Sequence, residues 1–271
     1  DLANLEKAYL AKLSEHGLTE LNRAKRNLQD FAFPGIEKIT PDKFNQDYLH
    51  HLKACFGCSI CCGRTYRVKE GEFKGLHGEG PELAACWAWG TQPQVDNLAA
   101  VLKADALSNQ MGVDCIETGD TIAFAMECYQ RGLLSEEETG GLKLEWGNYK
   151  AVHTLIEQIA KREGIGELLG EGMRNAAQKI GRGAEYYALQ IKGQSFPAEM
   201  RGKHGSVLGY LTSTRGADHL RGIAVDDLMS VKYIKEQCGE EDLKGEGVKG
   251  KGRATKWVQD MTTLPDLLGV C

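Results

Sequence analysis

Along most of this chain apolar positions recur every three or four residues, the period of a helix with one buried face. Leu2, Leu5, Tyr9, Leu10 and Leu13 set that period, Gly17 interrupts it, and a second charged helical stretch runs through Leu28. Pro34-Gly35 and Thr40-Pro41 mark a loop, after which Asp42 to Leu52 reads as a short helix. Arg64 to Phe73 alternates weakly, through Tyr66 and Val68, as a short strand or loop. Gly78-Glu79-Gly80-Pro81-Glu82 reads as a turn, since two glycines and a proline do not sustain a helix. The apolar run Leu83 to Trp89 reads as interior.

Glycines then divide a series of helices. Asp96 is expected to cap a helix bearing Leu98, Val101, Leu102 and Leu107, which stops at Gly112. A new helix begins at Asp114 or Thr118 and carries Ile122, Ala125, Met126 and Tyr129 to Gly132. Asn148 caps another, with Val152, Leu155, Ile156 and Ile159 on one face. Gly164-Ile165-Gly166 leads into a helix from Glu167 to Ile180, closed by Gly181 and Gly183. From Gln194 to Gly222 arginines and His219 lie among small residues, the texture of functional loops and helix ends. Gly239 to Gly252 reads as a charged, glycine-rich loop, and Thr255 to Leu268 as a final helix. No strand–helix alternation and no fixed repeat appear, so the expected class is mostly α. Two helical domains are expected, 1–150 and 151–271.

Composition changes this picture little. The 271 residues are 42% apolar and 26% charged, ordinary for a globular chain with a sizeable core. A net charge of -5 disfavours nucleic acid as a partner, and no run of eighteen apolar residues suggests a membrane span. No charged-then-apolar leader stands at the start. Nine unevenly clustered cysteines do not resemble a disulfide framework and fit a reducing, cytoplasmic setting. The chain opens on Asp1 and stops at Cys271, after a leucine-rich segment, and is read as a piece of a longer protein.

The chemistry concentrates in Cys55-Phe56-Gly57-Cys58-Ser59-Ile60-Cys61-Cys62, four cysteines within eight residues. Soft thiolates suit zinc, Cu(I) and iron–sulfur clusters, and a C-x2-C pair reaches two corners of a cubane from one turn. Cys61 or Cys62 supplies a third ligand, and a fourth must come from afar, with Cys271 the candidate. Structural zinc is the competing reading, although no second C-x2-C knuckle or spaced His pair accompanies the first.

Two further segments share a frame: Asn109-x-x-Gly112-Val113-Asp114 and Asp266-x-x-Gly269-Val270-Cys271. With Cys55, Cys58 and Cys62, Gly80-Pro81-Glu82, and Thr212 to Arg221, they resemble the tungsten-containing aldehyde:ferredoxin oxidoreductase family. The resemblance runs from about Lys53 to Cys271 and implies two helical domains covering one side of a tungsten bis-pterin, with molybdenum the alternative metal. It selects Cys62 over Cys61 and makes Cys55, Cys58, Cys62 and Cys271 the ligands of a [4Fe-4S] cluster. It further implies Glu82 and His219 as catalytic, and Asn109, Val113, Asp114, Arg221, Asp266 and Val270 as cofactor-binding. The implied activity is oxidation of aldehydes to carboxylic acids, with ferredoxin or an iron–sulfur subunit as electron acceptor. The family's amino-terminal domain has no counterpart here, so the isolated piece is expected to be inactive.

Departures accompany the likeness. Asn109 stands where the family prefers Asp, Arg221 where some members have Lys, and no Glu occupies the Lys103 region that binds a bridging iron in some members. Taken without the family, Glu82 is equally a helix N-terminal carboxylate, His219 a hydrogen-bonded structural residue, Arg221 a solvated arginine, and Asp114 and Asp266 helix caps. His50, His51, His77, His153 and His204 read as structural or surface residues, and Cys61, Cys86, Cys115, Cys128 and Cys238 as small buried hydrophobes. The rival reading of the whole is a non-catalytic iron–sulfur or zinc module for electron transfer or metal binding.

Overall fold

The computed structural model describes residues 26–30, 33–58, 62–197, 204–221, 236 and 249–269. Of the helical stretches expected through Leu28, residues up to 25 lie outside the described residues, as does most of the loop expected over 239–252. Residues 26–29 form a turn and not the end of a helix, with Arg26, Asn27 and Leu28 at positive φ. Dense contacts divide the chain into two compact units, Asp1–Ala188 and Leu189–Cys271.

In the first unit α1 (Pro41–Asp47) begins with Pro41, and the Thr40 hydroxyl accepts from the Lys43 amide. The chain does not continue as helix to Leu52, as its sequence predicts. It becomes β1 (Leu49–Lys53), which pairs antiparallel with β2 (Gly63–Arg67), itself paired with β3 (His77–Glu79). The reason is non-local: Thr65, fourteen residues downstream, exchanges side-chain hydrogen bonds with the His51 amide and carbonyl. A register irregularity between Leu49 and His51 bends the strand. The hairpin loop joining β1 to β2 carries Cys55, Cys58 and Cys62.

Beyond the turn at Gly80-Pro81, α2 (Leu83–Cys86) runs into a π-helical turn at Trp87–Thr91, buried throughout as the apolar run implied. α3 (Leu98–Met111) follows; its cap is Asn97, whose Oδ1 accepts from the Ala100 amide, and not Asp96. Asp96 instead holds Lys38 in an exposed ion pair at 2.5 Å. A cap must reach the N3 amide, and here the residue one later does so. α3 ends at Gly112, φ +68°, a conformation costly for any residue with a Cβ. α4 (Cys115–Gln130) starts at once, with Asp114 Oδ1 accepting from Glu117 at 2.8 Å.

α5 (Tyr149–Lys161) is capped by Asn148 and buries Val152, Leu155, Ile156 and Ile159, the face its pattern predicts. It packs against α3 and α4 in the first unit. The single helix expected over 167–180 is two, α6 (Gly166–Leu169) and α7 (Met173–Ile180). They break where Gly172 adopts φ +82°. One apolar core joins Leu102, Ile122, Phe124, Met126, Leu155 and Ala176, all of them sealed from solvent. Asn27 enters that unit as a polar tie, donating to Glu127 at 2.7 Å and to the Tyr187 carbonyl at 2.9 Å.

The second unit is smaller. β4 (Gln190–Ile191) and β5 (Gln194–Ser195) form a short hairpin, α8 (His204–Thr212) follows, and α9 (Lys251–Leu268) packs against α8. Tyr210 and Ala217 are buried with Ile191, Phe196 and Val207 around them. α9 begins four residues before its predicted start, and Pro265 falls near its end. The architecture is mostly α.

α4 approaches the π-helical turn closely at Gly119. A Cβ there would lie 2.6 Å from the Ala88 Cβ and 2.7 Å from its carbonyl oxygen. Gly119→Ala must therefore force α4 and the π-helical turn apart, and should destabilise the first unit by about 2 kcal/mol, the usual scale of overpacking. Chemical denaturation of the full-length protein followed by tryptophan fluorescence, which reports Trp87 and Trp89, measures it; an unchanged midpoint would show that this contact yields freely.

Candidate functional site

The β1–β2 loop is compact. The Cys58 amide donates to the Cys55 carbonyl at 3.0 Å, and Gly57 takes φ +73° to close the turn. Cys55, Cys58 and Cys62 are exposed, and Phe56 stands fully in solvent between the first two. Cys61 and Cys271 lie outside the described residues. Among the described residues no three His, Cys, Asp or Glu side chains are gathered closely enough to hold a metal ion. Of the other cysteines, Cys86 and Cys128 are buried and Cys115 is half-buried; burial pushes each thiol up to about 12.

Behind this loop the first unit opens a groove of about 700 Å³ between the β2–β3 hairpin, the turn before α2, and the junction of α3 with α4. Four of the sequence-predicted residues line it: Glu82, Asn109, Val113 and Asp114. Their convergence follows from local structure. Tyr66 of β2 donates from its hydroxyl to the Leu102 carbonyl at 3.2 Å, which fixes the sheet against α3. Gly112 reverses the chain, its amide and that of Val113 donating back to Asn109 and Ser108. Both Val113 and Asp114 are thereby brought to the groove.

Glu82 occupies the cap position of α2, yet its side chain makes no capping hydrogen bond. Its carboxylate is largely exposed and stands 3.6 Å from the Arg64 guanidinium, which is mostly buried. Arg64 follows Cys62 by two positions, so one short strand links the cysteine loop to this carboxylate.

Asp105 is the residue that sequence reading missed. It lines the same groove and is only 6% exposed. Burial first, and then the neighbouring charge of Glu82, push its carboxyl up to about 6. A signal existed: Leu98, Val101, Leu102 and Asp105 follow one another at helical spacing, which sets a carboxylate in an apolar stripe.

The second unit holds the remaining predicted residues. His219 opens a 3-10 turn, His219–Arg221, that packs on α8 and α9. Asp218, 2% exposed, positions this turn: its Oδ1 accepts from the Leu220 amide at 2.9 Å, and Arg215 pairs with its Oδ2 at 3.2 Å. The side chain of Arg221, and Val270 with Cys271, lie outside what the structure describes. Asp266 lies in the last turn of α9, whose closing Gly269 has φ +64°. Gly112 and Gly269 thus terminate their helices in the same way, as the shared sequence frame implied. A Cβ on either would meet nothing within 4 Å. The expected histidines are otherwise unremarkable: His50, His51, His77 and His204 are exposed, and His153 contacts the Ala100 carbonyl at 2.9 Å.

Comparison with known proteins bears on this arrangement. The family model described as aldehyde ferredoxin oxidoreductase, domains 2 and 3, matches residues 13–271. The tungsten-containing aldehyde ferredoxin oxidoreductase of Pyrococcus abyssi is 34% identical over 265 residues, 96% of this chain and 41% of that protein. The aliphatic sulfonate oxidoreductase WOR-like subunit of Pyrococcus furiosus is 31% identical over 207 residues, 72% of this chain and 32% of that one. Among solved structures, the active-site complex BamBC of benzoyl coenzyme A reductase, bound to 1,5-dienoyl-CoA, superposes with a TM-score of 0.70 at 19% identity. That superposition covers 93% of this chain and 42% of the other, and shows a shared fold. The chain spans about two-fifths of the length of the Pyrococcus abyssi relative. By the extent of the family match and by its identity to these relatives, the chain belongs to the aldehyde ferredoxin oxidoreductase family, over that family's domains 2 and 3.

Proposed function

We propose that the full-length protein to which these residues belong oxidises aldehydes to carboxylic acids, and that this chain supplies its electron relay and one wall of its cofactor site. The observation that carries the reading is the groove, where Glu82, Asn109, Val113 and Asp114 converge in a member of this family. Relatives named as tungsten-containing support a tungsten bis-pterin as the cofactor.

The residues present fit such a group. Asn109 and Asp114 offer acceptor oxygens on the groove wall, suited to the ring N–H donors of a pterin. The open space at Gly112 and Gly269 lets a flat ring approach the helix ends without meeting a side chain. Asn109, Val113 and Asp114 would hold one pterin, and Asp266 and Val270 the other, with Arg221 donating to a pterin or its phosphate. Cys55, Cys58, Cys62 and Cys271 would hold a [4Fe-4S] cluster, which the exposed β1–β2 loop leaves free to form. The chemistry such groups supply when bound is two-electron acceptance at the metal and one-electron relay through the cluster.

The chain's own residues do the rest. Conversion of an aldehyde and water to a carboxylic acid releases two protons and two electrons. Glu82, stationed on the Gly80-Pro81 turn and set against Arg64, orients the attacking water or the substrate oxygen. His219 moves a proton, the task of an imidazole near neutral pH. Electrons leave to ferredoxin or an iron–sulfur subunit. The missing amino-terminal domain of the same protein covers the cofactor's other side. The reading places the enzyme in the cytoplasm; among the described residues no helix is long and apolar enough to cross a membrane.

Metal analysis of the full-length protein separates this reading from a simple electron-transfer module. Tungsten or molybdenum near one per chain, with aldehyde-dependent reduction of a redox dye, is the expected result. Iron or zinc alone would sink the enzyme reading.

Two variants of the full-length protein test the roles. His219→Ala should lower turnover about a hundredfold with metal content intact, the usual scale for loss of a general acid or base. Full turnover in that variant removes His219 from the chemistry. Cys58→Ser should lose most cluster iron while tungsten content is read separately by mass spectrometry; iron retained at the wild-type level would exclude Cys58 as a ligand.

A further inference from the structure

Nothing in the proposed reaction explains why α3 buries Asp105. A carboxylate in an apolar stripe needs a donor or a proton, because its desolvation is otherwise uncompensated. Three donors in this region are committed to backbone carbonyls. The Tyr66 hydroxyl donates to the Leu102 carbonyl, and the Ser108 hydroxyl and Asn109 amide donate to the backbone carbonyl of Asp105, at 2.8 and 3.0 Å. The Asp105 carboxylate packs against the turn that carries Glu82. A Cβ on Gly80 would lie 3.0 Å from its Oδ2.

The titratable groups around it are Glu82, Cys86, Cys115 and Tyr66. Burial keeps the two thiols and the phenol neutral at physiological pH. Arg64, the cation on this side, stands against Glu82. Asp105 therefore faces one charged neighbour of its own sign and an open groove.

We propose that Asp105 is a second acid–base group of the groove, a carboxyl paired with Glu82 that carries away a proton released at the reacting carbon. The proposal rests on the aldehyde-oxidising reading above. Of the two protons released per aldehyde, one passes to the Glu82 carboxylate and then to Asp105. The O–H bond at Asp105 forms as that at Glu82 breaks, and the proton leaves to water. The electron pair takes the separate route to the metal centre of that reading. With its carboxyl held at about 6, Asp105 is ionised and able to accept at pH 7, and protonated and unable to accept below 6.

Asp105→Asn preserves size and removes the titration. In the full-length enzyme, kcat/KM for an aldehyde should fall through an acid limb near pH 6. The variant should lose that limb and turn over about a hundredfold more slowly at pH 7. In the same protein without substrate, an infrared band of protonated carboxyl, absent from Asp105→Asn, should vanish as pH rises through about 6. Glu82→Gln should move that midpoint down by removing the neighbouring charge. An acid limb unchanged in Asp105→Asn, or a midpoint in the ordinary aspartate range near 4, overturns the proposal. If no aldehyde is oxidised while the band titrates near 6 and responds to Glu82→Gln, the aldehyde reading fails and the pairing of the two carboxyls stands.

Discussion

The left-handed turn at Gly112 is the constraint on which the first unit depends. At φ +68° it ends α3 and lets Asp114 cap α4 two residues later, so two long helices meet at a corner with no loop between them. Orphan carbonyls at the end of α3 are satisfied by the amides of Gly112 and Val113, and orphan amides of α4 by the Asp114 carboxylate. Any residue with a Cβ would resist that conformation. The corner therefore presents Asn109, Val113 and Asp114 to one groove as a consequence of backbone geometry. Gly269 closes α9 in the same way, with Asp266 three residues before it.

The second support of the groove is the three-stranded sheet. Tyr66, 1% exposed, carries the sheet onto α3 through its ring and its hydroxyl. The same strand begins beside Cys62 and includes Arg64, which reaches Glu82. The cysteines proposed as cluster ligands and the carboxylate proposed for acid–base work are thus linked through the start of one strand, a short and rigid connection.

Asp105 shows how stability yields to chemistry at such a site. Burying a carboxyl beside Glu82 raises its proton affinity, so the folded state binds more protons than the unfolded chain between about pH 4 and 6. Stability consequently falls as pH rises through that window, and the loss persists at neutral pH. A leucine in the stripe of Leu98, Val101 and Leu102 would avoid it. Residues that cost stability without local compensation concentrate where function needs them.

Much of this was legible in the sequence. The caps Asn148 and Asp114, the stops at Gly112 and Gly269 and the buried face of α5 are all signalled within one or two turns of the residues concerned. The mostly α class follows from them, and the family motifs named Glu82, Asn109, Val113 and Asp114 before any groove was visible. What tertiary structure decided was different in kind. Leu49 to Lys53 became a strand because Thr65 and its neighbours offered a ladder from beyond the cysteine loop. The helix over 167–180 broke at Gly172, and Asn97 and not Asp96 caps α3 because its side chain is the one that reaches the Ala100 amide, while Asp96 pairs with Lys38. Asp105 drew its chemistry from Gly80 and Glu82, more than twenty residues away in the chain. Helix periods and caps are local, and one sequence window contains their causes. Strand pairing and desolvation depend on distant residues, and only the folded chain brings those together.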